Sequence, residues 1–225
     1  MNAKIHTQTY YSLPKQSLTA DQNNFGHKGI PMWLQKSVTL IALILLAPLI
    51  LLVAALIKLE SRGDVFFTQV RVGENGRHFK CYKMRSMYTK DDPKYREPTP
   101  TDSDRNGVCK KYFNDPRITK IGKIIRKCSI DELPQLFNVL RGDMALIGPR
   151  PHLTTEYMQY TQDILPRLNC KPGITGLWQV NGRADTDFDD QLSMDKAYIE
   201  QQSFWFDVKI LIATVPAVMT AKGAY

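Results

Sequence analysis

The longest apolar run in the chain is Val38 to Ile57, VTLIALILLAPLILLVAALI. It carries no charge across 20 residues and is flanked by Lys36 and Lys58. At ~1.5 Å of rise per residue, a helix of that length matches a hydrocarbon core ~30 Å thick. The run therefore predicts a membrane segment rather than a buried core helix. Pro48 sits near its middle. A proline removes one backbone donor and crowds the preceding turn, so a kink or break is expected there. A kinked helix crosses the bilayer, whereas a broken one dips in and returns to the same face. Lysines at both ends do not choose between the two.

Elsewhere the apolar pattern has shorter periods. Residues 1–30 are polar and show none, which predicts a mobile tail. The apolar run starts too far in for a signal peptide, and no small-residue cleavage site follows it. Asp64–Arg71 and Arg77–Met84 read as two strands joined by the turn Gly73-Glu74-Asn75-Gly76. Their polar residues Gln69, Arg71, Lys80, Lys83 and Arg85 are explained individually by solubility. Tyr88–Arg117 is rich in charge, proline and threonine and predicts a long loop or lid. In Ile118–Lys127 four isoleucines share one helical stripe and basic residues fill the rest. That pattern fits either a solvated helix packed on the domain or a basic amphipathic helix at an anionic membrane surface. Lys171–Arg183 reads as a loop–strand–turn ending in Asn181-Gly182. Acids at Asp185, Asp187, Asp189 and Asp190 precede a helix over Gln191–Gln201, where they serve as caps and dipole partners. Phe204–Met219 is apolar but interrupted by Asp207, Lys209 and Pro216, which predicts an interfacial helix rather than a span.

Composition narrows the chemistry. A chain of 225 residues holds one substantial domain plus attachments. Its formal charge of +8 calls for an acidic partner: nucleic acid, an anionic membrane or a phosphorylated substrate. The four cysteines form no CxxC, and the four histidines form no zinc-binding cluster. Separate reduced thiols are the expectation, and Mg²⁺ held by carboxylate is a better metal reading than zinc.

The chemistry-bearing stretch is Ser129–Pro151, SIDELPQLFNVLRGDMALIGPRP. Ser129 followed by Glu132 fits a capping box, and first-turn acids suit a helix dipole. Pro134 weakens that reading, because it falls just past the first turn. The functional reading places Asp131 and Glu132 ~100° apart on a helical turn, one carboxylate facing a phosphorus atom and the other a metal. Arg150, stiffened by Pro149 and Pro151, is suited to clamp a phosphate. Spacing alone leaves both readings open.

Four stretches carry a resemblance: FFTQVRVGENGRHFKCYKMRSM (66–87), NDPRITKIGKIIRKCSIDELPQLFNVLRGDMALIGPRP (114–151), KPGITGLWQVNGR (171–183) and KGAY (222–225). They resemble the bacterial sugar transferases, the monotopic polyprenyl-phosphate phosphoglycosyl transferases. The resemblance covers nearly everything after residue 35. It implies transfer of a sugar-1-phosphate from a UDP-sugar to undecaprenyl phosphate, with release of UMP and a covalent phosphosugar–aspartate intermediate. The length and ending look most like galactose- or glucose-phosphate transferases that initiate exopolysaccharide synthesis. The resemblance implies Asp131 as nucleophile and Glu132 as the Mg²⁺ ligand. It implies Arg150, Lys83, Arg85 and Arg183 around the substrate phosphates, and a membrane helix broken at Pro48. The family has Ser-Pro at that break, where this chain has Ala47-Pro48.

The resulting expectation is an α+β fold, a mostly helical domain with a small β-hairpin sheet. Residues 1–30 form the tail, 31–58 a re-entrant membrane helix, and 59–225 the catalytic domain with interfacial helices on the cytoplasmic face of a bacterial inner membrane. Expected partners are a UDP-sugar, undecaprenyl phosphate, membrane lipid, a second copy of the chain and polysaccharide-assembly proteins, with no nucleic acid. Two rivals stand beside this reading. One is a metal-dependent glycosyltransferase using Asp187 and Asp189 and releasing UDP. The other is a non-enzymatic membrane scaffold.

Overall fold

The computed structural model describes residues 28–99, 112, 114–158, 160–162, 164–182, 186 and 188–220. The expected tail through residue 27, Arg183, Asp185, Asp187 and the terminal KGAY lie outside them. The architecture is mixed, as expected: seven α-helices and two small sheets among the described residues.

Helix α1 spans Met32–Glu60 and is ~43 Å long at ~1.5 Å per residue. It is the one described helix long and apolar enough to cross a membrane. It continues through Pro48 rather than ending there. Pro48 faces outward, so the carbonyl of Ile44 that loses its helical partner is not trapped against the domain. Gln35, Thr39, Leu43, Val53 and Ile57 form one buried stripe at helical spacing. The Gln35 side chain accepts from the Leu146 amide at 2.6 Å and donates to the Ile30 carbonyl at 2.6 Å. At the other end, Val53 and Ile57 pack with Met84 and Ile125. Both ends of α1 therefore rest on the same domain, while Ile44, Leu45, Leu51 and Leu59 stay exposed on its outer face.

Strands β1 (Phe66–Val72) and β2 (His78–Met84) form the expected antiparallel hairpin, with Gln69 opposite Cys81 and Phe67 opposite Lys83. Directly paired residues share a face, so Gln69, Arg71, Cys81 and Lys83 all point to one side. Helix α2 (Lys120–Lys127) is capped by the Thr119 hydroxyl, which accepts from the Gly122 amide at 2.8 Å. The Glu60 carboxylate also accepts from the Lys120 and Ile121 amides, tying α2 to the end of α1. Ile118 stays outside the helix and bridges to Met87.

The next segment departs from the capping-box expectation. Ser129 is left-handed (φ 55°) and caps nothing with its side chain. Ile130–Glu132 form a single 3-10 turn, and helix α3 begins only at Gln135. Pro134 stands immediately before that helix, where its missing N–H costs no intrahelical bond. Helix α3 ends at Arg141, and Gly142 closes it at φ 85°.

Strand β3 (Ala145–Ile147) pairs in parallel with β5 (Gly173–Thr175). Strand β4 (His152–Leu153) pairs with β1 and joins the hairpin sheet, and the short helix α4 (Thr154–Tyr157) follows it. The turn 148–151 thus passes from one sheet to the other. Past Thr175 the expected strand gives way to helix α5 (Leu177–Asn181). Its buried Trp178 needs a face against α6 and α7, which a two-stranded edge does not offer. Helix α6 covers Phe188–Gln201 and α7 Phe204–Thr220. The buried Asp207 of α7 accepts from Tyr198 Oη and from the Ile30 amide, fastening the start of α1 to the α6–α7 corner.

Candidate active site

The hairpin register puts Lys83 on the face that meets the 130–132 turn. Its Nζ lies 2.6 Å from Glu132 Oε1, with the two side chains 24 % and 26 % exposed. Asp131, one residue back, is 9 % exposed. The 3-10 turn separates the two carboxylates: one is drawn into the protein and the other meets the ammonium at a partly open surface. Helix α3 is held against β2 by Asn138, which is fully buried. Its Nδ2 donates to the Lys80 carbonyl at 2.7 Å and its Oδ1 accepts from the Tyr82 amide at 3.1 Å. One side chain thus pairs with the edge of β2 as a neighbouring strand would, and it fixes the spacing between Lys83 and the acids.

The carboxylates titrate apart. Burial raises Asp131 to about 6, with Glu132 adding to the rise and Lys83 opposing it. For Glu132 burial also pushes upward, but Lys83, Arg150 and Arg71 together hold it below the ordinary carboxylate range. An ionised acid braced by cations beside a more basic, buried one is the pattern expected where carboxylates take different chemical roles.

Arg150 reaches this neighbourhood from the turn between the sheets. Its guanidinium lies 5.9 Å from the centre of the Trp178 ring. The turn is cramped on its inner side: a Cβ at Gly148 or Gly173 would run into the facing backbone, so both positions require glycine. Arg85 is not brought to this group. Its buried guanidinium donates to the carbonyls of Ile57, Ser61 and Arg62, where α1 ends. Arg183 lies outside the described residues. Asp143 is taken by Arg141 Nε at 3.2 Å. Of the rival acid pair, Asp187 lies outside the described residues, and Asp189 is exposed in the first turn of α6.

Asn138, Arg167 and Asp195 were not singled out in the sequence. A polar residue inside the apolar run LPQLFNVL was the available signal for Asn138. Nothing local marks Arg167 or Asp195, whose ion pair joins residues 28 positions apart.

Among the described residues no three His, Cys, Asp or Glu side chains gather into a metal cage. Mg²⁺ needs no such cage, being bound by one or two carboxylates with substrate oxygens and water completing its shell, and of the two acids Glu132 is the one that is partly open.

Comparison with known proteins identifies the family. The sequence model of the family described as "Bacterial sugar transferase" matches residues 28–221. The exopolysaccharide production protein ExoY of Rhizobium meliloti is 40 % identical over 188 residues, covering 82 % of this chain and 83 % of that one. The undecaprenyl-phosphate galactose phosphotransferase of Salmonella typhimurium is 45 % identical over 166 residues, 72 % of this chain but 35 % of that longer protein. The UDP-glucose:undecaprenyl-phosphate glucose-1-phosphate transferase of Caulobacter vibrioides is 42 % identical over 189 residues, 80 % of this chain and 66 % of its own length. The chain belongs to the bacterial sugar transferase family.

Proposed function

We propose that the protein transfers galactose-1-phosphate or glucose-1-phosphate from a UDP-sugar to undecaprenyl phosphate, a first membrane step in exopolysaccharide synthesis. The observation that carries this reading is the grouping of the buried Asp131 with Glu132, Lys83 and Arg150. It is a carboxylate nucleophile beside enough positive charge to receive a diphosphate. The named substrates of the Salmonella and Caulobacter relatives support the choice of donor and acceptor.

An Asp131 carboxylate oxygen attacks the β-phosphorus of the UDP-sugar. The bond from that phosphorus to the bridging oxygen breaks, and UMP leaves with the electron pair. An acyl phosphate to the sugar remains on Asp131. An oxygen of undecaprenyl phosphate then attacks the same phosphorus, and the carboxylate departs. The elevated pKa makes Asp131 a better nucleophile than an ordinary aspartate while leaving it mostly ionised above pH 7. Lys83 and Arg150 bind and orient the diphosphate oxygens. Glu132 would hold Mg²⁺, which when bound supplies further neutralisation of phosphate charge.

The reading extends to the membrane. A continuous helix with both ends resting on one domain and an apolar outer face is suited to lie along one leaflet without crossing it, leaving the domain on the cytoplasmic face of the inner membrane. The experiment that tests the reaction class is the identity of the released nucleotide. Purified protein in lipid nanodiscs, given UDP-galactose or UDP-glucose and undecaprenyl phosphate, is expected to release UMP. Release of UDP instead would establish a glycosyltransferase.

A further inference from the structure

Hydrogen bonds of two kinds, from backbone and from arginine side chains, tie the turn 148–151 to the fold. The Gly148 amide donates to the Thr175 carbonyl at 2.9 Å, and the Pro149 carbonyl accepts from the Gly173 amide at 2.9 Å. These two bonds come from β5 and its flank. The next two come from arginine side chains. Arg167 Nη2 donates to the Arg150 carbonyl at 3.1 Å, and Arg71 Nη1 donates to the Pro151 carbonyl at 3.0 Å. Arg71 belongs to β1 and Arg167 to the 3-10 segment Leu165–Asn169, so the two grip adjacent carbonyls from different elements.

Both arginines are buried, at 7 % and 6 % exposure, and both are themselves braced. Arg71 Nη2 donates to Gln69 Oε1 at 2.7 Å, and its Nη1 lies 3.9 Å from Glu156. Arg167 is held by the buried Asp195 of α6 and by Tyr160 Oη, which in turn lies 2.5 Å from His152 Nδ1. A guanidinium presents several donors in one rigid plane. It can therefore satisfy a carboxylate and a peptide carbonyl together, which a lysine ammonium on a flexible stem does not reproduce. Burying two cations merely to satisfy two carbonyls is a costly way to finish a turn. The cost is understandable if the turn must hold one direction.

We propose that Arg167, anchored by Asp195, and Arg71 are positioning residues that aim Arg150 at the substrate diphosphate by fixing the two successive peptide carbonyls, of Arg150 and of Pro151, that follow its side chain. Neither touches substrate; Arg167 acts through Arg150, and Arg71 acts through Arg150 and through its charge on Glu132, which Arg71→Lys preserves. The inference rests on the reading of Arg150 as a phosphate-binding residue.

A double-mutant cycle tests it. Full-length Arg150→Ala, Arg167→Lys, Arg71→Lys and the doubles Arg150→Ala/Arg167→Lys and Arg150→Ala/Arg71→Lys are assayed in nanodiscs for KM and kcat with UDP-sugar. Arg167→Lys is expected to raise KM for the UDP-sugar roughly three- to tenfold in the wild-type background, with kcat changed less. In the Arg150→Ala background the same change is expected to alter KM less than about twofold, because the group being aimed is gone. If Arg167→Lys multiplies KM by the same factor in both backgrounds, its role is general packing and the positioning inference is overturned. If Arg150→Ala itself leaves KM unchanged, the phosphate reading of Arg150 fails instead, and the two failures are distinct. Should Arg167→Lys lack a cooperative thermal transition, the Arg71 arm decides by the same criterion.

Discussion

Replacing Asp131 with asparagine is expected to make the protein more stable at neutral pH while abolishing transfer. The reason lies in the burial that raises the carboxyl from its ordinary 3.8 to about 6. At about 1.4 kcal/mol per unit, keeping that group ionised in the folded state costs about 3 kcal/mol. Asparagine is nearly isosteric and carries no charge, so most of that cost disappears. For a chain of this size about 3 kcal/mol corresponds to a rise of roughly 6–12 °C in Tm. The pH dependence has a definite sign. The folded state binds a proton more tightly than the unfolded chain, so the cost is complete above pH 6 and shrinks as pH falls towards 3.8. The stabilisation is therefore largest at pH 7.5, about half as large at pH 5, and close to nil near pH 3.8 and below. Thermal unfolding of wild type and Asp131→Asn in matched nanodiscs at pH 7.5 and 5.0 measures it. A variant whose Tm at pH 7.5 is equal to or below that of wild type would refute the reasoning, as would a gain that grows on acidification.

Other perturbations address the neighbours. Lys83→Met removes the cation that opposes the burial-driven rise of Asp131, so the acidic limb of the pH–rate profile, set by ionisation of that nucleophile, moves to higher pH. A limb that stays in place means Lys83 does not tune Asp131. Asn138→Ala leaves the Lys80 carbonyl and the Tyr82 amide without their side-chain partner, costing about 2–3 kcal/mol in thermal or denaturant unfolding. A loss under about 0.5 kcal/mol would mean water replaces the side chain there. Arg85→Met is expected to lower Tm and leave KM for the UDP-sugar within about twofold, since its guanidinium is committed to the end of α1. The opposite pattern, a raised KM with unchanged Tm, would return Arg85 to the phosphates.

Much of this was legible in the chain and some of it was not, for physical reasons. The apolar run 38–57 and the hairpin around Gly73–Gly76 announce themselves through length and turn chemistry, both local properties. The bounds of α1, Met32–Glu60, lie close to the expected 31–58, because Trp33 and Leu34 carry the apolar pattern back past the polar Gln35 and Lys36. Gln35 looks like a polar boundary, yet it is buried because it serves the Leu146 amide 111 residues away. The motif Ser-Ile-Asp-Glu satisfied a capping rule, but Pro134 moved the helix start downstream and left a 3-10 turn in its place. Trp178 lies in a segment that reads as a strand by composition, and packing against α6 and α7 made it helical. Lys83 and Arg85 are two residues apart on one strand face and looked equivalent. The strand ends at Met84, however, and Arg85 turns to the carbonyls of α1 while Lys83 meets Glu132. Arg71, Arg167 and Asp195 acquire meaning only through partners far away in sequence, which no local pattern encodes.

The central claim, that Asp131 is the nucleophile, is tested most directly by trapping its adduct. Protein in nanodiscs is incubated with UDP-sugar and no lipid acceptor, quenched, digested, and examined by mass spectrometry for a hexose phosphate. The account predicts the modification on the peptide containing Asp131, discharged when undecaprenyl phosphate is added, and missing from Asp131→Asn. A hexose phosphate on another residue, or one that persists in Asp131→Asn, would contradict it.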